Sequence, residues 1–356
     1  MRLRNFLIVS LASLVCLSVA ISQERRDTVR EFLRDKFLFS QDDLAAVDSG
    51  KVVTKLFDSD SVSEIAIGGA AHLAVPYEFA AQVFQKIHRL MPNTSTRTTG
   101  RFHTPAVLAD LNKLTAEAND LNALRNCTPG NCEEKLPVST MKRFRTEIDW
   151  KARDSRTEAI SLVKKILVDY VNSYREWGNT ALVEYDDQDQ PRLTADILDG
   201  IVQEQPNLFG FAPELSGYLK DYPKDTLAHS TDYLYWQQET DPGIKPTFVL
   251  NHATIYTPDT SKPVTLIATK QLYANHYFEG SLAVTALVGD TEKAVGCYIL
   301  YLNRSFFDDL RKTGFLSFRS RVRDGISTKM KNDLISTIQQ IRMLYGKEEP
   351  GDSGGE

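Results

Sequence analysis

Two of the six histidines lie in or beside predicted C-terminal β-strands that could neighbour each other. These are His252 and His276, and the second is flanked by Asn275 and Tyr277. An imidazole titrates near neutral pH, so either residue could serve as a general base, and the two are the candidate catalytic residues. Together with His229 they could also form a three-histidine zinc site, but the spacing does not require one. Histidines that hydrogen-bond inside a polar patch are more common, so we expect no metal and no cofactor.

Two basic residues at predicted strand positions could hold an anionic group. Lys270 lies within one strand, and Arg304 lies at the end of another, shortly before Asp308 and Asp309. Arg304 could pair with Asp308 and close the mouth of a cavity, or it could present its guanidinium to a ligand carboxylate or phosphate. The ion pair is the more common arrangement, and the sequence leaves both open.

Aromatic side chains are concentrated in the predicted C-terminal strands. Tyr and Trp combine a large apolar ring with one polar atom, so those on an inward-facing side would give an apolar lining with a few polar tips. Most such residues belong to the core or to an outer face instead. The residues that we expect to contact a ligand are Tyr235, Trp236, Lys270, Tyr273, His276, Tyr277 and Arg304.

Composition and missing motifs exclude several classes of protein. The 356 residues are 42% hydrophobic and 25% charged, which is typical of a soluble globular protein that can bury a sizeable core. Lys and Arg total 42 against 47 for Asp and Glu, a net charge of -5, so we expect no nucleic-acid partner. The chain has no phosphate-binding glycine loop, no His-Glu-x-x-His, no Gly-x-Ser-x-Gly and no paired Cys-x-x-Cys motifs.

The first 22 residues have the three parts of a secretory signal peptide. Two arginines precede an apolar run from residue 6 to residue 19, and small residues follow at Ala20 and Ser22. The run is short for a membrane span. We therefore expect residues 1–22 to be removed and the protein to be exported, either periplasmic or secreted. An uncleaved anchor and lipidation at Cys16 are the alternatives.

Two cysteines five residues apart predict a local disulfide. Cys127 and Cys132 flank a Pro-Gly turn that would bring their Cβ atoms close together, and an oxidising compartment favours the bond. A metal site is the weaker reading, because no second Cys or His pair lies nearby. Cys297 lies in an apolar strand-like run, so we expect a buried core thiol there rather than a nucleophile.

Residues 23–91 are predicted to contain a short amphipathic helix, two strands and a second helix. The strands cover residues 51–57 and 62–75, and a short polar turn between them predicts a hairpin. Pro76 suits the first turn of the helix that follows, because that turn would not use the missing backbone donor.

Residues 92–229 are interpreted as a mostly helical insertion that carries the predicted disulfide loop. A polar, Thr-rich loop to residue 103 opens it. The strongest helical pattern runs from residue 139 to residue 177, where apolar residues recur every three or four positions between Ile160 and Trp177. Such a stripe could pack against another helix.

Residues 230–345 are predicted to form an antiparallel meander and a long C-terminal helix. Five successive runs are rich in β-branched and aromatic residues, and short turns connect them, which favours antiparallel neighbours. The helix is predicted over residues 318–345, and its apolar residues form one face. The Gly-rich, acidic tail at residues 346–356 is expected to be disordered. The predicted strands cover residues 231–238, 245–256, 263–274, 277–288 and 294–303.

This order of elements resembles the helix-grip fold of the START-like (SRPBCC) superfamily. The opening stretch "SGKVVTKLFDSDSVSEIAIGGAAHLAVPYEFAAQVF" looks like the start of that fold, where a strand ends in Val-Pro and leads into the first helix. The resemblance covers roughly residues 50–90 and 230–345, and the 92–229 insertion departs from the usual pattern. It implies an α+β protein in which a curved antiparallel sheet grips a long C-terminal helix around a cavity. The stretches "ATKQLYANHYFEGSLAVTALV" and "GCYILYLNRSFFDDLR" are also similar to exported bacterial proteins of unknown function.

The sequence therefore predicts an exported protein that binds an apolar or amphipathic small molecule, such as a lipid, between the sheet and the C-terminal helix. One alternative is an enzyme on the same scaffold, with a His base and a Lys or Arg anion site. Another is an envelope interaction module that uses the helical insertion to bind an unknown protein partner. Residues 304–331 carry eight basic and three acidic residues, and this local charge of +5 could contact an anionic membrane surface or be a solvated helix face.

Overall fold

A computed structural model describes most of the chain as one α+β assembly around a large antiparallel sheet. The predicted signal peptide, residues 1–22, and the last eight residues lie outside the part that it describes. The described residues are 29–90, 96–203, 210–240, 245–258, 263–290, 295–308 and 316–348.

Nine α-helices occur in these described residues. Two short 3-10 turns, Leu108–Leu111 and Gly178–Ala181, lie among them. The helices are α1 (29–36), α2 (Gln41–Asp48), α3 (Tyr77–Leu90), α4 (Ala118–Asn126), α5 (Val138–Glu147), α6 (Ser155–Trp177), α7 (Thr194–Gln203), α8 (Pro213–Asp221) and α9 (Leu316–Glu348).

The strands form an eight-stranded antiparallel sheet and a separate two-stranded ribbon. The order in the large sheet is β1-β2-β10-β9-β8-β7-β6-β3, and the sheet is not closed. The ribbon is β4-β5. The strands are β1 (Val53–Phe57), β2 (Glu64–Leu73), β3 (Thr96–Arg101), β4 (Glu184–Tyr185), β5 (Arg192–Leu193), β6 (Ser230–Glu239), β7 (Thr247–Tyr256), β8 (Val264–Ala274), β9 (Phe278–Gly289) and β10 (Cys297–Phe307).

The C-terminal meander and the opening hairpin that the sequence predicts are confirmed. Each of β6 to β9 pairs antiparallel with the next strand along the chain, because the connections are too short for a crossover. The hairpin of β1 and β2 joins this meander through pairing of β2 with β10. The long C-terminal helix, α9, is also confirmed.

One side of the sheet, which we call the grip face, packs against α3 and α9. Alternate strand residues such as Ala71, Ile267 and Ile299 point to this side and are buried. From α9, Leu334, Ile338 and Ile341 pack into the same cluster. Burying apolar side chains of this size stabilises a fold by about 1.5–3 kcal/mol each. Because the strand and helix residues share one buried cluster, this face is a continuous core.

The opposite side, which we call the insertion face, is covered by α1, α2 and the helices of the insertion. Its alternate strand residues include Leu234, Leu250 and Leu266, and they share one buried cluster with Leu167 and Val171 of α6. The insertion therefore packs on the sheet itself, and the sheet lies between two helical layers.

Four features differ from the sequence predictions. Residues 96–101, predicted as a loop, form the edge strand β3, which pairs with β6. Helix α2 was not predicted, although Ser40 and Asp43 form a capping box at its start. The single helical pattern of residues 139–177 is split into α5 and α6, and α9 extends to Glu348 rather than ending at residue 345.

The edge strand β3 contains a glycine that the packing requires. Gly100 lies against the ring of Trp236, and a Cβ atom at this position would be 2.6 Å from Trp236 Nε1. The indole Nε1–H donates to Asp110 O at 2.9 Å behind it. A larger residue would displace this ring, so a glycine in a Thr-rich segment here marks a close approach of two strands rather than a loop.

Among the described residues, we find no helix whose length and apolar content would let it span a lipid bilayer.

Candidate functional site

A cavity of about 150 Å³ lies between the helical insertion and the insertion face of the sheet. It is bounded by α4, α5 and α6 on one side and by the ends of β6, β7 and β8 on the other. The sequence predicts a cavity under α9, but this one lies on the opposite side of the sheet. Its apolar wall includes Leu121, Leu124, Phe144, Ile160, Val163, Leu167, Phe248 and Tyr273.

One end of the cavity is polar and acidic. Asp120, Glu134 and Asn275 line it, and His276 lies directly behind the two carboxylates. His276 Nε2 is 3.3 Å from Glu134 Oε1 and 3.4 Å from Asp120 Oδ1. Glu134 and His276 are buried, with 4% and 3% of their surface exposed. A small apolar pocket thus ends in a compact group of ionisable side chains.

Two segments that are far apart in sequence, residues 120–134 and residues 275–276, bring these side chains together. Asp120 belongs to the first turns of α4, whereas Glu134 follows the disulfide between Cys127 and Cys132. The next residue, Lys135, donates its backbone N–H to Asn275 O at 2.9 Å, which holds this segment against the turn between β8 and β9.

The turn between β8 and β9 sets the direction of His276. The structure places this turn at residues 275–277, between the strands that the sequence predicts. Tyr277 has a φ of 62°, and Phe278 N–H donates to His276 O at 2.7 Å. Asn275 Oδ1 accepts from Phe248 N–H at 2.7 Å, which fixes the orientation of the Asn275 amide.

Burial and mutual proximity change the proton affinity of this group. Burial raises the pKa of Glu134 to about 7, although the nearby His276 acts in the opposite direction. Burial by itself would lower the pKa of His276, but the carboxylates of Asp120 and Glu134 outweigh it, so that pKa is raised. The group can therefore exchange protons near neutral pH, which is common at functional sites.

A second buried group surrounds Lys135 and has the features of a structural ion pair. Lys135 Nζ lies 3.3 Å from Asp308 Oδ2 and 3.5 Å from Asp187 Oδ2, and it lies over the ring of Tyr185 at 4.6 Å. Gln188 Nε2 also donates to Asp308 Oδ2 at 2.8 Å. A buried cation needs such partners, and this arrangement fixes the chain next to Glu134.

A third buried group contains the predicted residues His252 and Lys270. His252 Nε2 is 2.8 Å from Asp232 Oδ1, and its Nδ1 is 2.9 Å from the hydroxyl of Tyr174. Both ring nitrogens are therefore bonded within the protein, and acting as a base would cost His252 one of these bonds. Lys270 Nζ donates to Asn179 Oδ1 at 2.7 Å, and burial lowers the pKa of Lys270 to about 7.

The structure brings only some of the predicted ligand residues to one place. Tyr273 lines the cavity, His276 belongs to its polar end, and Tyr277 lies beside His276 with its hydroxyl accepting from the backbone N–H of Lys245 at 2.9 Å.

The other four predicted residues lie elsewhere. Tyr235 is on the grip face, and Trp236 packs against Phe248 without lining the cavity. Lys270 belongs to the His252 group, and Arg304 pairs with Glu64 at 2.5 Å. Most of the basic side chains between residues 304 and 331 lie outside the described part of the chain.

The sequence reasoning missed the two carboxylates of the site. Glu134 comes two residues after Cys132. Its position next to the predicted disulfide loop was the signal that could have identified it as a site residue. Asp120 carried no signal, because an acidic residue in the first turn of a helix is common on surfaces. Only the folded chain places both beside His276.

Comparison with known proteins adds a distant likeness of fold. No family model and no curated protein matches the chain. Among solved structures, the ZhuI aromatase/cyclase of Streptomyces sp. R1128 is 10% identical, with a TM-score of 0.25 over 42% of this chain and 90% of that one. Norcoclaurine synthase of Thalictrum flavum is 11% identical, with a TM-score of 0.22 over 43% of this chain and 80% of that one.

A longer alignment is found with the di-domain aromatase/cyclase StfQ of the steffimycin pathway. It is 10% identical, with a TM-score of 0.26 over 78% of this chain and 99% of that one. The aromatase/cyclases and norcoclaurine synthase have helix-grip folds. Likenesses at such values do not assign a family or an activity to this chain.

Proposed function

We propose that this protein binds a small amphipathic molecule in the cavity between the helical insertion and the sheet. The observation that carries the proposal is a cavity with apolar walls and one buried polar end, where Asp120, Glu134 and Asn275 line the surface. Ligand pockets commonly combine such walls with a few polar groups that orient the ligand.

The size of the cavity limits the ligand to about one ring. A volume of about 150 Å³ is close to that of a cavity that holds benzene. A long acyl chain does not fit this volume, so the lipid that the sequence suggested is replaced by a molecule with a single ring or a short branched chain.

The polar end favours a ligand head group that donates hydrogen bonds. The groups around His276 are two carboxylates, which accept hydrogen bonds, and Glu134 Oε1 has no hydrogen-bond partner in the structure. A hydroxyl or an amine on the ring would supply the missing donor. Filling the apolar part of the cavity and satisfying this buried oxygen are both favourable.

The test uses phenol and benzylamine as probes and benzene as the apolar reference. We expect saturable binding by calorimetry in chelator-containing buffer, and a rise in melting temperature with probe concentration. Val163→Phe fills the cavity from α6 and should weaken binding at least tenfold, about 1.4 kcal/mol. Glu134→Gln should weaken binding of benzylamine more than binding of benzene.

The matched control is Val168→Phe on the same helix. Val168 packs in the insertion-face core and does not line the cavity, so this variant should keep the affinity of the unaltered protein. Equal affinity in both Phe variants would reject the cavity as the binding site. Failure of every probe to bind would reject the proposed ligand class.

We also propose that the protein acts outside the cytoplasm. The predicted signal peptide supports this location, and so does the disulfide between Cys127 and Cys132, because such bonds persist in oxidising compartments. The intact mass of protein isolated from its native cells should correspond to a chain that begins near Gln23. A full-length chain in the cytosolic fraction would contradict the proposal.

A further inference from the structure

The two carboxylates and the imidazole at the polar end of the cavity converge on one point. One oxygen of Asp120, one oxygen of Glu134 and one nitrogen of His276 all lie within 4.8 Å of one another. Glu134 Oε1 and His276 Nε2 are buried, and neither has a hydrogen-bond partner, although they are 3.3 Å apart. Buried polar atoms normally have a bonding partner, and a single ion or group between these two atoms would satisfy both.

We propose that Asp120, Glu134 and His276 bind a divalent transition-metal ion, with Zn²⁺ as the best match. A tetrahedral zinc ion with bonds of about 2.0–2.1 Å separates neighbouring ligand atoms by about 3.3–3.4 Å. The distances from His276 Nε2 to Glu134 Oε1 and Asp120 Oδ1 are 3.3 and 3.4 Å. One imidazole nitrogen with two carboxylate oxygens also suits Zn²⁺ better than Ca²⁺ or Mg²⁺, which prefer oxygen ligands throughout.

Neighbouring residues orient two of the three proposed ligands, His276 and Glu134, as outer-shell partners do in metal sites. His276 Nδ1 is 3.2 Å from Glu133 O, so this nitrogen can donate its proton to the carbonyl and leave Nε2 with a free lone pair. Asn275 Nδ2 donates to Glu134 Oε2 at 3.1 Å, which leaves Oε1 as the ligand atom. The second polar atom of His276 and that of Glu134 are thus each held by a neighbour.

The fourth coordination position would face the cavity. Asp120 and Glu134 line the cavity wall, so an ion between them and His276 is accessible from it. A divalent cation would also balance the negative charge of the two neighbouring carboxylates. The site deepens the proposed function, since a hydroxyl or amine head group could then bind the ion, but Zn²⁺ binding can be measured with no organic molecule present.

The test is a titration of the chelator-stripped full protein with ZnCl₂, followed by calorimetry. We expect one equivalent to bind. Glu134→Gln and His276→Gln should weaken this binding by about 100-fold or more, because loss of an outer-shell partner alone costs 10–100-fold. Asp120→Asn should disturb folding least of the three substitutions, since the Asp120 side chain is partly exposed. We expect it to lower Zn²⁺ affinity by a similar factor.

Glu133→Gln is the matched control. It is the same substitution one residue away, and it keeps the Glu133 backbone carbonyl that accepts from His276 Nδ1. Only the carboxylate is changed, and that group pairs with Lys245 at 2.6 Å outside the cluster. Zn²⁺ affinity in this variant should be unchanged. Co²⁺ should give a visible absorption band in the unaltered protein and in Glu133→Gln, and should lose it in the three ligand variants.

Two results would overturn the metal site. One is the absence of stoichiometric Zn²⁺ binding to the folded protein, and the other is equal Zn²⁺ affinity in Glu133→Gln and Asp120→Asn with unaltered melting temperatures. Neither result affects the binding of phenol or benzylamine in chelator-containing buffer, so failure of the metal site and failure of the proposed ligand cavity can be distinguished.

Discussion

At the scale of single residues, two buried histidines of this protein differ in the partners of their ring nitrogens. His252 and His276 both lie in or next to strands, but His252 is bonded at both nitrogens, whereas His276 Nε2 faces two carboxylates at the end of a cavity. Lys135 and Lys270 are likewise both buried with partners. A residue type alone therefore does not distinguish a structural group from a binding group.

Lys270 provides a residue-scale prediction about pH. Its folded pKa is about 7, lowered from 10.5 by burial, and it is surrounded by Tyr174 and Tyr222 on the helical layer and by His252 and Asp232 on neighbouring strands. Between those pH values the unfolded chain holds a proton that the folded chain has released, so Lys270 makes stability rise with pH from about 7 to about 10.5.

Lys270→Met should remove this contribution. We expect the free energy of unfolding, measured with urea from pH 6 to pH 10, to rise less steeply in the variant, by on the order of a few kcal/mol over that range. Comparing slopes cancels the constant cost of leaving Asn179 Oδ1 unpaired. Identical slopes in the two proteins would mean that Lys270 remains charged in the fold.

Single residues also show how much of the candidate site could be predicted from the sequence. Tyr273, His276 and Tyr277 were predicted because aromatic and ionisable residues cluster where β8 meets β9. Asp120 and Glu134 come from the insertion, and their approach to His276 depends on packing between segments about 140 residues apart. A pattern confined to one stretch of chain carries no information about such a contact.

At the scale of elements, regular patterns were predictable and local exceptions were not. The five strands of the meander have strong β-branched and aromatic content, and each was confirmed within a few residues. β3 was missed because its residues, Thr96–Arg101, are polar, as an edge strand allows. The break between α5 and α6 was missed because apolar residues continue across it with helical spacing.

The disulfide loop between α4 and the Glu134 segment gives an element-scale prediction. Closing a loop of this length stabilises a fold by about 2 kcal/mol in the chain-entropy model. Replacing Cys127 and Cys132 by Ser should lower the free energy of unfolding by about that amount. It should also weaken probe binding, because Glu134 lies only two residues after Cys132.

Addition of a reductant provides the control for this prediction. It should reproduce both effects in the unaltered protein and change nothing in the double Ser variant. If reduction lowered the free energy of unfolding and left probe affinity unchanged, the disulfide loop would stabilise the fold without positioning Glu134.

At the scale of the whole molecule, the sheet has a different partner on each face. The grip face is filled by α3 and α9, with Leu334, Ile338 and Ile341 in a continuous core. The insertion face carries the cavity. The predicted antiparallel sheet and long C-terminal helix are therefore present, but the helical insertion, which the sequence could not place, creates the pocket.

Shortening a side chain of α9 tests this division of roles. Ile338 is 2% exposed, so Ile338→Ala should cost about 2–5 kcal/mol of stability by opening a hole under the helix. Phenol and benzylamine affinity should not change, because the grip face is not their site. Met343→Ala, at a residue of the same helix that is 54% exposed, should change neither quantity. Loss of probe affinity in folded Ile338→Ala would move the site to the grip face.

The most direct test of the central claim is a crystal structure of the protein with benzylamine. The account predicts one ring between α5, α6 and the end of β8, with its amine within hydrogen-bonding distance of Glu134. A ring bound between the sheet and α9, with the cavity beside Glu134 left without it, would contradict the account.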